Sequence, residues 1–266
     1  MMHRLTLVLA LLYAAPAFSA VQIAGFQASH GPYGPERLPS DAYPLDEYYF
    51  RFTISGVKAD ETGKTSDELT LKLIGPGKKE LFSKTGPVGR ELFLGGDSFL
   101  WTGFFNIPDK APPGEYQISI VYKDKIAKES ATVERKFTVL PAALKIIVPR
   151  FFHDADGKIP ASSNNVVGQN IYYRLRVIGF DRSKNKVETR LSMQVLDNNG
   201  KEMLKKPIVV DAGLKDPDAA AKATQVNFNG MLTLTRPGTY KVVFTVEDLS
   251  TGRKVTQELP LRVLEP

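Results

Sequence analysis

The chain has 266 residues, 42% of them hydrophobic and 24% charged, with a formal net charge of +6 and no cysteine. That length and apolar fraction suffice for one large core or two ordinary ones, and they exclude collagen-like, disulfide-scaffold and disordered classes. Without cysteine there is no thiol nucleophile, thiolate zinc site or disulfide, and three histidines (His3, His30 and His153) leave little for imidazole catalysis.

Residues 1–19 read as an export signal. Met1 to Arg4 is a short basic start, and Leu5 to Ala15 is apolar throughout but shorter than the roughly 20 residues a membrane span needs. Cleavage after Ser19 places Ala17 three positions back, and cleavage after Ala17 places Ala15 there. No cysteine follows to carry a lipid anchor, and no later stretch is apolar enough to span a bilayer. An exported chain with neither disulfides nor Asn-x-Ser/Thr sequons is expected to be bacterial, and periplasmic, on the cell surface or extracellular. Its bases alternate with acids, as in Lys78-Lys79-Glu80, so nucleic acid is not an expected partner. The positive excess suits anionic polymers of an envelope.

After the signal the chain repeats itself. Tyr48 to Gly56 matches Ile171 to Gly179 at an offset of 123, which pairs Arg51 with Arg174 and His30 with His153. Pro113-Gly114-Glu115-Tyr116 matches Pro237-Gly238-Thr239-Tyr240 at 124, and so do Phe137 to Leu140 and Leu261 to Leu264. Several blocks in one order at nearly one offset predict two copies, 20–140 and 141–266, each of ordinary domain size. The join, Leu140-Pro141-Ala142-Ala143, lacks flexible Gly/Ser character and predicts a stiff tandem.

Each copy reads as strand after strand. Leu69 to Leu73 alternates cleanly and Leu191 to Val195 answers it; Glu115 to Tyr122 and Thr239 to Val246 mix alternation with β-branched residues. Clusters such as Gly75-Pro76-Gly77 and Asp197-Asn198-Asn199-Gly200 separate them. Only Asp218 to Lys222 leans towards helix, for a turn or two. Roughly seven short strands per copy predict an all-β chain of two tandem Ig-like β-sandwiches, with closed barrels as the alternative.

The two Pro-Gly-x-Tyr blocks each open a strand that leads to a turn and a final strand. This resembles the penultimate-strand start of bacterial immunoglobulin-like and fibronectin-like modules. The resemblance implies a structural part for Tyr116 and Tyr240, whose hydroxyls would bond back to nearby backbone. It implies no particular activity.

Two places invite a functional reading. Asp154 and Asp156 precede Gly157, a spacing that can aim two carboxylates at one hard cation; a plain Asp/Gly turn is the competing reading. The stretch from Phe99 to Phe105 places Phe99, Trp101 and Phe105 on one face of a strand, with Leu100 and Phe104 on the other. At the offset of 124, Phe99, Trp101 and Phe105 fall on Ala223, Gln225 and Asn229, so the second copy is expected to manage without these rings. The face is therefore expected either to bind a partner protein or a glycan, or to lie beneath the 85–96 loop with its Leu92-Phe93-Leu94.

The sequence holds no nucleophile elbow, zinc-protease helix, phosphate loop or dinucleotide fingerprint. A non-catalytic interaction or structural module of the cell envelope, without cofactor, is the expected function. Its partner would be an envelope protein or polysaccharide. A two-domain periplasmic assembly chaperone and a carbohydrate-binding module are the alternatives.

Overall fold

Strand-forming alternation and glycine-bearing turns divide the chain as the pattern suggests. The computed structural model describes residues 20–266, so the expected export signal at 1–19 lies outside the described residues. Seven strands form the first half: β1 (Gln22–Ser29), β2 (Glu47–Ser55), β3 (Asp67–Ile74), β4 (Glu80–Pro87), β5 (Phe99–Asn106), β6 (Gly114–Asp124) and β7 (Glu129–Val139). The second half contains β8 (Lys145–Phe152), β9 (Asn164–Val166), β10 (Asn170–Ile178), β11 (Val187–Asp197) and β12 (Ile208–Leu214). After these come α1 (Pro217–Lys222), β13 (Val226–Thr233), β14 (Gly238–Asp248) and β15 (Lys254–Leu264).

In the first half a three-stranded sheet, β1-β2-β5, accompanies a four-stranded one, β4-β3-β6-β7. The second half repeats the plan as β8-β10-β13 and β12-β11-β14-β15, with short β9 added in parallel beside β15. All other named pairs are antiparallel. The fourth strand of the first half, β4, pairs with the third, as its counterpart β12 pairs with β11. In the constant-type antibody sandwich it sits beside the fifth instead. The chain is all-β, and its paired sheets have the Ig-like sandwich form.

Period two fills the space between the sheets. Tyr48, Phe50, Phe52 and Ile54 of β2 are buried while the residues between them are half-buried, and Ile171, Tyr173, Leu175 and Val177 of β10 do the same. The first core is rich in rings, with Phe50 stacked against Phe26 and Phe105 at centroid distances of 5.4 and 5.6 Å. The second is mainly aliphatic around Leu191, Val242 and Phe244.

Two polar devices recur in both halves. Tyr116, buried on β6, donates its hydroxyl to the Pro112 carbonyl at 3.0 Å. Tyr240 on β14 lies more open, its hydroxyl 3.2 and 3.1 Å from the Arg236 and Pro237 carbonyls. The other device is an aspartate ending the same strand. Asp124 accepts the Ile126 and Ala127 N–H groups within its turn and the Lys58 N–H beyond β2, each at 2.8 Å. Asp248 accepts from Ser250 at 3.1 Å, from Asp181 beyond β10 at 2.9 Å and from Arg253 at 3.1 Å. Each carboxylate thus ties a turn in the larger sheet to the segment leaving the smaller one.

Burial pushes the Asp248 carboxyl up, but the donors around it prevail and hold it below its ordinary value. Asp248→Ala leaves buried N–H groups without an acceptor and is expected to cost about 3 kcal/mol in urea denaturation. Because the native carboxyl is the stronger acid, its contribution is complete above the unfolded pKa, near 3.8, and is lost as pH falls through the native one. The gap between wild type and variant should therefore close in strong acid; an equal gap at pH 2 and pH 7 would contradict this. Tyr116→Phe is expected to cost about 1 kcal/mol, and Tyr240→Phe less because water reaches its hydroxyl. The urea midpoints of the two variants check this order.

Candidate binding surface on the open edge of the first half

β5 is an edge strand that pairs with β2 alone among the described strands. Its alternation sends Phe99, Trp101 and Phe105 towards the first core. Phe105 is only 5% exposed, while Phe99 and Trp101 are half-buried and pack on the same core. The Trp101 ring lies 5.2 Å from Phe52 and 6.1 Å from Phe50. It runs along its own strand over Gly103, where a Cβ would come within 2.4 Å of the indole. Phe99 meets Tyr122 edge-on at 6.3 Å, beneath the Arg90 guanidinium. The opposite face is the open one: Leu100 is 51% exposed, and Phe104, stacked on Tyr49 at 4.9 Å, is 47% exposed.

Sheet register corrects the comparison between the copies. Arg51 faces Thr102 across the first small sheet, and Arg174 faces Asn229 across the second. Thr102 and Asn229 are therefore equivalent, and Phe99, Trp101 and Phe105 fall on Val226, Phe228 and Leu232 rather than on Ala223, Gln225 and Asn229. Both copies need apolar side chains at all three places. The connections after β5 and β13 differ in length, residues 107–113 against 234–237, which breaks the constant offset. From the 85–96 loop Arg90 stands over Phe99 and Val88 packs on the same core, but Phe93 and Leu94 do not cover the strand, being 82% and 103% exposed.

What distinguishes the first half is the gap beside these rings. Between the edges of β4 and β5 runs a groove of about 360 Å³, with Leu69, Leu71, Phe82, Trp101 and Phe104 among its walls. Trp101 therefore has two surroundings, the core on one side and this groove on the other. Leu81 and Phe82 of β4 add exposed apolar surface beside it. In the second half the β12–β13 connection folds into α1, capped by Asp216, whose side chain accepts the Ala219 N–H at 2.7 Å. Ala220 of this helix is fully buried in the second core. The first half has no helix there.

The remaining candidates take up local roles. Asp154 accepts the N–H groups of Lys158 at 3.0 Å and Ile159 at 2.6 Å, and the Lys158 bond leads in holding its carboxyl below the ordinary value. Asp156 pairs with the Lys158 ammonium at 3.0 Å. The two carboxylates therefore serve the turn, and no third His, Asp or Glu joins them among the described residues. His30 and His153 are unlike: burial, with Arg37 adding to it, pushes His30 down to about 3, whereas His153 is exposed. Arg51 and Arg174 share a task, each reaching the loop after the first strand of its half through the Gly34 and Ala155 carbonyls.

A second constellation escaped the sequence reading because its members are scattered along the chain. Where the halves meet, Tyr43 and Leu45 pack on Ile147, Val148 and Ile178. Beside this contact Glu47 accepts from Arg150 at 2.9 Å and from Arg176, and Arg150 also donates to the Tyr49 hydroxyl at 3.0 Å. The one signal in the sequence was Arg174 and Arg176 at alternate positions, hence on one face of a strand.

Trp101→Ala removes a ring that bridges Phe50 and Phe52, and is expected to cost about 3 kcal/mol in denaturant titration. A loss below about 1 kcal/mol would mean that the indole contributes little to the core.

No family model matches the chain, and no curated protein matches it in sequence. Solved structures do match in shape. A red sea bream transglutaminase structure is similar over 93% of this chain at 8% identity and a TM-score of 0.30; the chain spans 32% of that protein's length. The C-terminal domain of the Streptococcus agalactiae AgI/II polypeptide BspA is similar over 91% of this chain and 99% of its own length, at 11% identity and a TM-score of 0.31. Likeness at this level assigns neither a family nor a function. Among the described residues no helix is long and apolar enough to cross a membrane.

Proposed function

We propose that this chain is an exported, non-catalytic binding module of the bacterial cell envelope, and that it takes up an extended segment of a partner protein along the edge between β4 and β5. The observation that carries this reading is the contrast between two halves of one plan. The second half folds its β12–β13 connection into α1 and buries Ala220 in its core, whereas the first half keeps an open apolar groove between β4 and β5. An uncovered edge presents unpaired backbone N–H and C=O groups, and a partner strand satisfies them while setting alternate side chains into pockets. Phe82, Leu100 and Phe104 then supply the apolar contact, each worth roughly 1.5–3 kcal/mol if fully buried, and Lys84 at the margin supplies a charge.

Export rests on the sequence of residues 1–19, and the division of the remainder into 20–140 and 141–266 rests on the repeat. On this division the second copy carries the first through the joint at Glu47. A glycan would instead need aromatic faces open as platforms, and Trp101 turns one of its faces to Phe52.

The test is capture of an envelope protein on immobilised 20–266, followed by titration of that protein in purified form. Leu100→Lys together with Phe82→Ser should weaken binding at least tenfold, with little change in the urea midpoint. Met231→Lys, on an exposed position of the second half, should leave it unchanged. Equal binding by all three proteins, or retention on polysaccharide alone, would contradict the proposal.

A further inference from the structure

The small sheet of the second half carries an unusual row on its outer face. Arg150 of β8, Arg174 of β10 and Asn229 of β13 stand directly opposite one another, and Arg176 and Asn227 form the row beside them. Like charges facing each other across a ladder are unfavourable. The first half shows what the fold itself requires at these places. Its equivalent row is Gln27, Arg51 and Thr102, in which Arg51 is satisfied by the Gln27 amide oxygen at 3.2 and 3.1 Å and the Gly34 carbonyl at 3.1 Å. The neighbouring pair there is Thr53 and Leu100. Arg150 and Arg176 are therefore additions of the second half, and neither is needed for a sandwich.

These side chains line a cleft of about 470 Å³ at the joint between the halves, with Glu47 its only acidic wall. Glu47 accepts from both Arg150 and Arg176, so one negative charge faces two positive ones. Arg176 also reaches the Gln225 amide oxygen at 3.4 Å. Arg174 donates to the neutral carbonyl of Ala155, and the nearby Asp154 directs its oxygens to its own turn. Gly157 lets that turn lie against the Arg174 guanidinium, since a Cβ there would come within 2.6 Å of Cζ. The Nε of Arg150 is buried with no hydrogen-bond partner. The cleft is thus a partly shielded place with surplus positive charge, planar donors and two side-chain amides at its rim.

We propose that this cleft binds an oxyanion, a carboxylate or a phosphate, with Arg174 and Arg176 as its principal donors and Asn227 and Asn229 beside them. Guanidinium groups match the paired oxygens of such anions, and partial burial strengthens the match. The anion is either a free small ion or the charged group of a polymer, and the same chemistry serves both. Glu47 competes with it for Arg176, so occupancy of the cleft and the ion pairs at the joint are coupled.

Two probes test this on the whole of 20–266, at an ionic strength held constant with chloride: inorganic phosphate and long-chain polyphosphate, each titrated calorimetrically. Saturable binding of phosphate supports a free ion, and binding of polyphosphate alone supports a polymer. Arg174→Gln and Arg176→Gln should each weaken the binding at least tenfold. Arg174 also holds a loop, so Asn229→Ala serves as a milder variant, with a severalfold loss expected. Glu47→Gln removes the competing carboxylate and should tighten binding severalfold, a gain that damage to the fold would not produce. No saturable binding by either probe, or binding indifferent to all four substitutions, would overturn the proposal.

Discussion

A sandwich of three strands against four leaves sheet edges unpaired, and the rest of this molecule is arranged around that constraint. Unpaired strands carry free backbone donors and acceptors and invite association, so a protein covers, charges or uses them. Here the second half buries Ala220 of α1 in its core beyond β12 and extends its larger sheet with β9. The first half leaves the edge of β5 beside an apolar groove, with Phe93 and Leu94 extending into solvent nearby.

The frame behind these edges is held by polar fastenings that recur at matching places. A buried aspartate ties the last turn to the strand connection across the sandwich, a tyrosine hydroxyl returns to the backbone before its strand, and an arginine pins the loop after the first strand. Each answers a backbone group that the common topology would otherwise leave without a partner. The outer faces and edges answer to no such demand, and there the halves differ: Thr53, Leu100 and Thr102 in one correspond to Arg176, Asn227 and Asn229 in the other. The binding surfaces proposed for the two halves both lie where the duplicated frame is free to vary.

The frame was legible in the sequence because it rests on short-range pattern. Alternation in Tyr48 to Ile54 and the Pro-Gly-x-Tyr blocks pointed to the class, while the order of strands within the sheets came only from their pairing. Trp101 was misplaced for a definite reason: a constant offset cannot cross connections of different length, and only the facing of Arg51 with Thr102 and of Arg174 with Asn229 aligned the fifth strands. Asp124 and Asp248 stood at matching positions in the repeat, yet their partners at Lys58 and Asp181 lie on another strand connection. The joint was the least readable feature, because Glu47 and the arginines it faces become neighbours only when two finished sandwiches meet.

The open edge of the first half is the place proposed for the meeting with a partner. Amide hydrogen exchange of 20–266, alone and saturated with the captured partner, tests it most directly. Added protection is expected in β4 and β5, with β12 and β13 exchanging as before. Protection confined to β12 and β13, or exchange unchanged along β5, would contradict it.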